Sequence, residues 1–500
     1  YDRKIGEDFE LGAMVGHSFL KTKSRTSYID AQNYPSPAFD VASVAANIVG
    51  ASAGLSEYAI ESYFARVSFA YKDRYVLNAT IRTDGSSRFA PDCRWGWFPS
   101  VSVGWNVSNE SFWNAEKTDL KIRASYGRTG NQDGISNYGW QALISGGANY
   151  GGQSGIAISS SGNDRLTWET ADQYNAGFDL SFLGGKINMI ADVYLKNTNN
   201  LLYSKPVHAT TGETSILSNI GSMRNKGIEF TINTHFNLGK VQWNSSLNIA
   251  RNVNKLTALL EDDMLSIGSN RALKIGRTVG SWYIFRKDGI YQYDGEVPQT
   301  LYDKGVRAGD VKYWDRNGDG NITDDDRIVT GNPNPKFSGG WNNSFKYKGL
   351  ELSVFFTYSY GNDVFASWMG HASKPGYTRA LLKEFADNRW TGPGTTNEYP
   401  RAVYSYSGWN AKNSTGLLKD GSFIRLRSMT LGYTFPQRMI SKIHLKGLRL
   451  YLQGDNLFLC SRYPGWDPET SVNLDPRFYG EDNDGVPQPR IFKLGVNITF

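Results

Sequence analysis

The 500-residue chain contains no run of about 20 consecutive apolar residues, which excludes membrane-crossing helices. Cysteine is nearly absent: Cys93 and Cys460 stand far apart in sequence and carry neither metal nor redox spacing, so a disulfide framework and a thiol active site both lack support. The five histidines are scattered, with no pair at ligand spacing. Neither sign of charge dominates. Lys plus Arg number 54 against 48 Asp plus Glu, and the net +6 is spread along the chain without a basic cluster, so nucleic acid is not an expected partner. Also missing are a nucleophile elbow, a phosphate loop and a zinc signature. Nothing picks out an acid and a nucleophile for glycoside hydrolysis among the acidic residues, and the chain reads as a non-enzyme. No repeat of 20–50 residues is visible, which disfavours propellers and solenoids.

What is abundant is glycine (53), tyrosine (29) and tryptophan (14), the last two concentrating where apolar surface meets water. Hydrophobic residues recur with period 2. At the C-terminus Phe492, Leu494, Val496, Ile498 and Phe500 alternate with Lys493, Gly495, Asn497 and Thr499. Segment 186–197 sets Ile187, Met189, Ala191, Val193 and Leu195 on one face; 227–236, 241–252 and 350–360 repeat the pattern. Strands with one apolar and one polar face suit a closed antiparallel barrel in lipid, where every backbone group is paired around the ring. About fourteen such strands are legible, and the whole of 1–500 reads as one barrel architecture. In 423–435 the alternation changes phase between Leu426 and Met429, which predicts a β-bulge.

The connections alternate short and long. Lys72-Asp73, Gly184-Gly185, 237–240 and 346–349 are tight turns, whereas 20–60, 128–172, 198–222, 254–335, 361–421 and 460–490 are long. Outer-membrane barrels have short periplasmic turns and long outer loops, so this asymmetry predicts an orientation as well as a fold. A short helix is expected in 380–390, with Leu381, Leu382, Phe385 and Ala386 on one side. The chain opens at Tyr1 inside a strand-like run, without an initiator Met, which predicts further sequence upstream.

Several runs, in order, resemble the SusC/RagA group of TonB-dependent outer-membrane transporters. They are Asp84-Gly-Ser-Ser-Arg-Phe89, Trp97-Phe-Pro-Ser-Val-Ser-Val-Gly-Trp105, Leu120-Lys-Ile-Arg-Ala-Ser-Tyr-Gly127, Trp168-Glu-Thr, Asn219-Ile-Gly-Ser-Met-Arg-Asn-Lys-Gly-Ile-Glu229, Gly309-Asp-Val-Lys-Tyr313, Asp420-Gly-Ser-Phe-Ile-Arg-Leu-Arg427, Gln453-Gly-Asp-Asn-Leu457 and Gly465-Trp-Asp-Pro-Glu469. The terminal Phe500 resembles the signal by which such barrels are recognised for insertion. The resemblance implies a 22-stranded barrel around a plug, import of glycans, oligosaccharides or peptides, a SusD-like surface lipoprotein as lid, and TonB acting on a plug segment. It also implies the outer membrane of a Gram-negative, Bacteroidota-like bacterium. This sequence shows neither plug nor TonB box, and so reads as the C-terminal part of such a transporter.

The sharpest local motif is 315–326, Asp-Arg-Asn-Gly-Asp-Gly-Asn-Ile-Thr-Asp-Asp-Asp. Asp315, Asn317 and Asp319 fall at loop positions one, three and five, Gly320 at six, the Asn321 carbonyl at seven and Asp326 at twelve, the spacing of a calcium loop. Asp at twelve has a shorter reach than Glu, and an acidic solvated turn without metal has the same composition. A structural Ca2+ is the expected cofactor. Glu261-Asp-Asp263 and Glu481-Asp-Asn-Asp484 lack such spacing and read as solvated loop charge. Trp140, Tyr150, Trp368, Trp409 and Trp466 are candidates for stacking on sugar rings or peptide side chains, or for packing the loops or a lid. Two alternatives remain open at this level: a non-energised structural or adhesive outer-membrane barrel, and a secreted calcium-dependent glycan-binding β protein or hydrolase.

Overall fold

A computed structural model describes residues 1–208, 210, 212–259, 263–373, 380–404 and 408–500. Among the described residues fifteen strands pair in the principal sheet, against the fourteen or so legible in the sequence. By internal contacts the chain divides into two compact units. The first comprises Tyr1–Glu110, Ile122–Ala176 and Lys196–Met223; the second comprises Ser111–Lys121, Gly177–Leu195 and Arg224–Phe500.

In the first unit the strands Asp2–Ile5, Phe9–Gln32, Asn47–Tyr71, Tyr75–Ser86 and Trp95–Asn106 pair consecutively and antiparallel. The pairing of Phe9–Gln32 with Asn47–Tyr71 runs from Phe9↔Tyr71 to Gln32↔Asn47, so most of the expected loop 20–60 is strand. Likewise Ile187–Pro206 and Ser215–Leu238 consume most of the expected loop 198–222. The reason is physical: beyond the apolar zone a hairpin needs no greasy face, only paired backbone, and polar runs such as Lys21-Thr-Lys-Ser24 hide the strand from a period-2 reading. The turn at Lys72-Asp73, within the three-residue connection between the paired Tyr71 and Tyr75, holds both residues in the left-handed region, φ 50° and 51°. No glycine relieves it. Instead the Asp73 carbonyl accepts hydrogen bonds from Asn106 Nδ2 (2.6 Å) and Asn109 Nδ2 (2.8 Å), and Lys72 Nζ lies 3.2 Å from Asp8 Oδ2. A core of Phe89, Phe98, Ile135, Leu166 and Trp168 closes this unit, with the Trp168 indole N–H donating to the Arg94 carbonyl at 2.9 Å.

In the second unit Val241–Leu259, Phe337–Tyr347, Leu350–Tyr360, Phe423–Thr434, Gly447–Ser461 and Ile491–Thr499 pair in chain order, all antiparallel. The strand Leu350–Tyr360 has the limits the alternation predicted. On the last strand Phe492 and Leu494 are 70% and 81% exposed, forming the greasy face, while Lys493 on the other side reaches Asp455 Oδ2 at 2.7 Å. The predicted bulge is present. Leu426 pairs with Phe356 and Ser428 with Phe355, leaving Arg427 without a partner in the ladder.

Among the described residues the long connections of this unit form further secondary structure. Between Leu259 and Phe337 stand a four-stranded sheet (Met264–Ile267, Arg271–Lys274, Trp282–Phe285, Arg327–Thr330), a two-stranded ribbon (Lys287–Ile290 with Val311–Tyr313) and a helix, Gln299–Asp303. A second small sheet joins Asp363–Ala366 to Leu418–Asp420 and, in parallel, to Glu481–Asp482. Segments from 254–335, 361–421 and 460–490 thus interlock into one layer. Its interior includes Trp282, Ile284 and Phe365, all 0% exposed, with Ile284 and Phe365 each worth about 1.5–3 kcal/mol of burial. The helix expected in 380–390 is Lys383–Asn388, with Phe385 buried and Leu382 packed on Met369 and its neighbours. Cys93 and Cys460 are free thiols.

Candidate functional site

Three of the motifs quoted above, 309–313, 420–427 and 465–469, carry charge that is buried in two clusters. Asp310, 0% exposed, takes four donors: Arg401 Nε (2.8 Å) and Asn410 Nδ2 (2.9 Å) on Oδ1, and Arg401 Nη2 (3.0 Å) and the Arg307 N–H (2.9 Å) on Oδ2. Gly309 beside it has φ 87°, and a Cβ there would sit 2.5 Å from the Trp390 ring, so the motif's glycine is demanded twice over. Arg425 and Asp467, each 3% exposed, meet at 2.5 Å. Arg425 Nε also lies 2.7 Å from Glu469 Oε2, an ion-pair contact whose N–H is not aimed along a hydrogen bond, and Arg427 Nη2 donates to Glu469 Oε1 at 2.6 Å. Pairing satisfies charges that would otherwise be costly to bury. These residues tie 462–490 to the strand Phe423–Thr434.

In the loop 315–326 the sharp turn forms as the spacing predicts. Gly320, φ 75°, donates its N–H to Asp315 Oδ2 at 2.7 Å, and Gly318 donates to Oδ1 at 2.7 Å. Asn317 Oδ1 accepts from the Asp319 N–H (3.0 Å) and Asp319 Oδ1 from the Asn321 N–H (2.7 Å). The Asn321 N–H, and after it the Asn317 Nδ2 donating to Asp319 Oδ2 at 2.9 Å, hold the Asp319 carboxyl below its usual range. Asp326 is placed differently: fully buried, it accepts from the Arg316 N–H and the Thr323 N–H, both at 2.8 Å, capping the turn 324–326. Its short side chain spends its oxygens on the backbone. Asp315 likewise has both oxygens on backbone N–H groups, so the side-chain candidates Asp315, Asn317 and Asp319 are all hydrogen-bonded within the loop, with the Asn321 carbonyl beside them, and among the described residues no three His, Cys, Asp or Glu side chains form a metal cluster.

The aromatic candidates separate. Trp409 packs on the loop core, donating to the Val311 carbonyl at 2.9 Å and meeting Tyr313 edge-on at 5.6 Å. Trp368 packs with Met369 and donates to the Tyr463 hydroxyl at 3.2 Å, and Trp140 donates to the Ser87 carbonyl at 3.3 Å. Tyr150 and Trp466, 91% and 78% exposed, remain open for stacking. The acidic run 481–484 is not solvated throughout: Asp482 is buried and accepts from the Tyr463 hydroxyl at 2.7 Å, and Glu481 lies 3.7 Å from the fully buried Arg271. Glu261 and Asp262 lie outside the described residues; Asp263 is exposed. Sequence reasoning also missed a cavity walled by Lys287, Glu398, Lys412 and Lys419, because its walls come from segments 130 residues apart and share no motif.

The profile of the TonB dependent receptor-like, beta-barrel family matches residues 2–457. The chain is similar to TonB-dependent receptor P26 of Formosa agariphila, 33% identical over 100% of this chain and 52% of that protein. It is likewise similar to TonB-dependent receptor SusC of Bacteroides thetaiotaomicron, 30% identical over 88% of this chain and 43% of that protein. Among solved structures the RagAB peptide transporter superposes with a TM-score of 0.86 at 23% identity, covering 100% of this chain and 54% of that one, a likeness of fold. The chain spans about half the length of the curated relatives it matches.

Proposed function

The chain belongs to the TonB-dependent receptor-like β-barrel family, is an antiparallel barrel portion and not an enzyme, and from that premise we propose that it serves outer-membrane import of glycans, oligosaccharides or peptides. The observation that carries this reading is the family match over residues 2–457. Supporting it are the greasy face of Ile491–Thr499, which suits lipid, and the interlocked layer of long connections in the second unit, which suits a substrate-handling outer face. Energy for import enters through TonB and a plug segment of the whole protein. A SusD-like surface lipoprotein covers the outer side, and the exposed rings of Tyr150 in the first unit and of Trp466 in the second each offer amphipathic contact area. The test is a deletion strain of the source bacterium fed single glycans or peptides as sole nutrient. Loss of growth on one class, restored by the full-length protein, supports import, whereas unchanged growth on every class removes it. Crosslinking from the long connections to a surface lipoprotein supports the lid, and crosslinks only at turns such as Gly184-Gly185 reverse the orientation.

We also propose that Asp315, Asn317, Asp319 and the Asn321 carbonyl hold a structural Ca2+, with Asp326 bracing the loop from behind. The turn at Gly320 favours this, since it falls at position six of the loop as the calcium-loop spacing of Asp315, Asn317 and Asp319 requires. Chelator added to the full-length protein should speed proteolysis within 315–326, and D315A/D319A should abolish the difference. Equal cleavage with and without chelator refutes the site.

A further inference from the structure

A cavity of about 200 Å³ opens between the ribbon strand Lys287–Ile290, the helix Ser367–Ala372 and the strand Leu418–Asp420. Three lysines face it against one carboxylate, Glu398. Lys412 is engaged elsewhere, its Nζ lying 4.9 Å from the Phe285 ring centre and 5.5 Å from that of Trp409. Lys287 and Lys419 remain. Lys287 is held in place: its N–H donates to Thr415 Oγ1 at 3.0 Å, its Nζ donates to the Glu398 main-chain carbonyl, and its stem lies over Gly416, where a Cβ would come 2.9 Å from Cδ. Burial, and then the charge of Lys419, push the Lys287 ammonium down to about 8, with Glu398 opposing. The buried Lys287 ammonium and that of Lys419 repel, Glu398 offsets this only in part, and a further negative charge between the two lysines would relieve it.

We infer that this cavity binds a carboxylate carried by one unit of the imported oligomer, placed between the ammonium groups of Lys287 and Lys419. The inference rests on the importer reading and gives its substrate a charge. Ser373 and Thr415 add hydroxyl groups to the wall, and Met369 and Leu417 add apolar surface for the body of the unit. The volume lies below the roughly 300–1,000 Å³ of pockets for drug-sized ligands, so one unit enters and the rest of the chain stays outside. A uronate sugar and an acidic peptide residue share this chemistry.

The experiment is calorimetric titration of the full-length detergent-solubilised protein with trigalacturonate and triglutamate, each against a neutral counterpart, maltotriose and triglutamine. One carboxylate probe should bind, and which one identifies the source. K287A/K419A should weaken it by about tenfold or more, the equivalent of one lost charge-assisted hydrogen bond, while K287R/K419R retains it. The titratable groups facing Lys287 are Lys419, Lys412, Glu398 and Tyr399. Because Lys287 sheds its proton near pH 8, native affinity should fall between about pH 7 and 9, and K287R should flatten the fall. The inference is overturned if neither carboxylate probe binds, or if K287A/K419A binds as tightly as the native protein. Should K287A/K419A fail to fold, the pH profile of K287R decides alone. Binding of a neutral probe unaffected by K287A/K419A, with no carboxylate probe bound, removes the anion site and leaves import standing.

Discussion

Replacing Asp467 with Ala tests whether buried charge fastens 462–490 to the barrel strand. The carboxylate meets Arg425 at 2.5 Å with both side chains 3% exposed, and it also accepts the N–H of Glu469 (3.0 Å) and of Gln488 (3.3 Å). Removing one member of a buried ion pair costs about 3–5 kcal/mol. Here Glu469 still stands 2.7 Å from Arg425 Nε and is partly solvated, so the lower end, about 3 kcal/mol, applies. That corresponds to a roughly 150-fold rise in the population of detached segment, at about 1.4 kcal/mol per tenfold. The barrel strands pair through backbone and keep their lipid face, so the loss is local. Limited proteolysis of the full-length protein reads it, because cleavage follows the open population when opening is fast. D467A should be cut within 462–490 about two orders of magnitude faster, with the heat-stable barrel band unchanged. A rate within twofold of native refutes the assignment of the tether to this pair.

Three further outcomes follow from the packing. On the last strand L494K should impair membrane assembly, at about 2–4 kcal/mol for a mid-depth charge on the lipid face, while N497K on the opposite face costs little; equal yields of folded barrel contradict the facing. In the first unit W168A should destabilise by about 3–5 kcal/mol, lowering the denaturant midpoint, since the ring packs on Phe89 at 4.9 Å and Phe98 at 5.4 Å. Lys287 is lowered from 10.5 to about 8, so folding releases its proton between those values and the native layer gains stability as pH rises through that window. K287M should therefore resist protease better than native at pH 7, with the advantage shrinking toward pH 10.5.

What the sequence made legible is whatever obeys a short period or a local rule. Leu350–Tyr360 and the strand carrying Phe492 to Ile498 follow from alternation, Lys72-Asp73 and Gly184-Gly185 from spacing and turn chemistry, and the bulge from a single phase slip. The hairpin extensions through Lys21 and Ser24 escaped because strands in water need no apolar face. The interlocked layer escaped for a different reason. Its contacts join residues such as Arg271 to the carbonyls of Phe478 and Tyr479, more than 200 positions away, and no local pattern encodes that pairing. Separation in sequence also hid Lys287 from Lys419, and of the two readings open for Trp409 and Trp368 the packing is the loop-core one.

Arg427 repays a closer look. Strike it out, and Ile424, Leu426, Met429 and Leu431 fall into unbroken alternation; the ladder with Leu350–Tyr360 needs one residue fewer than the chain supplies. The surplus residue is the one whose guanidinium reaches Glu469 and Asn456, and the irregularity passes to the neighbouring strand, where Leu426 faces Phe458 and Ser428 faces Asp455 with Asn456 left-handed at φ 54°. Asn456 in turn donates to the Pro489 carbonyl at 3.1 Å. Two strands thus share one dislocation, and from it the chain grips both ends of 462–490. A protein lacking Arg427 would still zip its wall together, and 462–490 would lose one of its ties while the Arg425–Asp467 pair held.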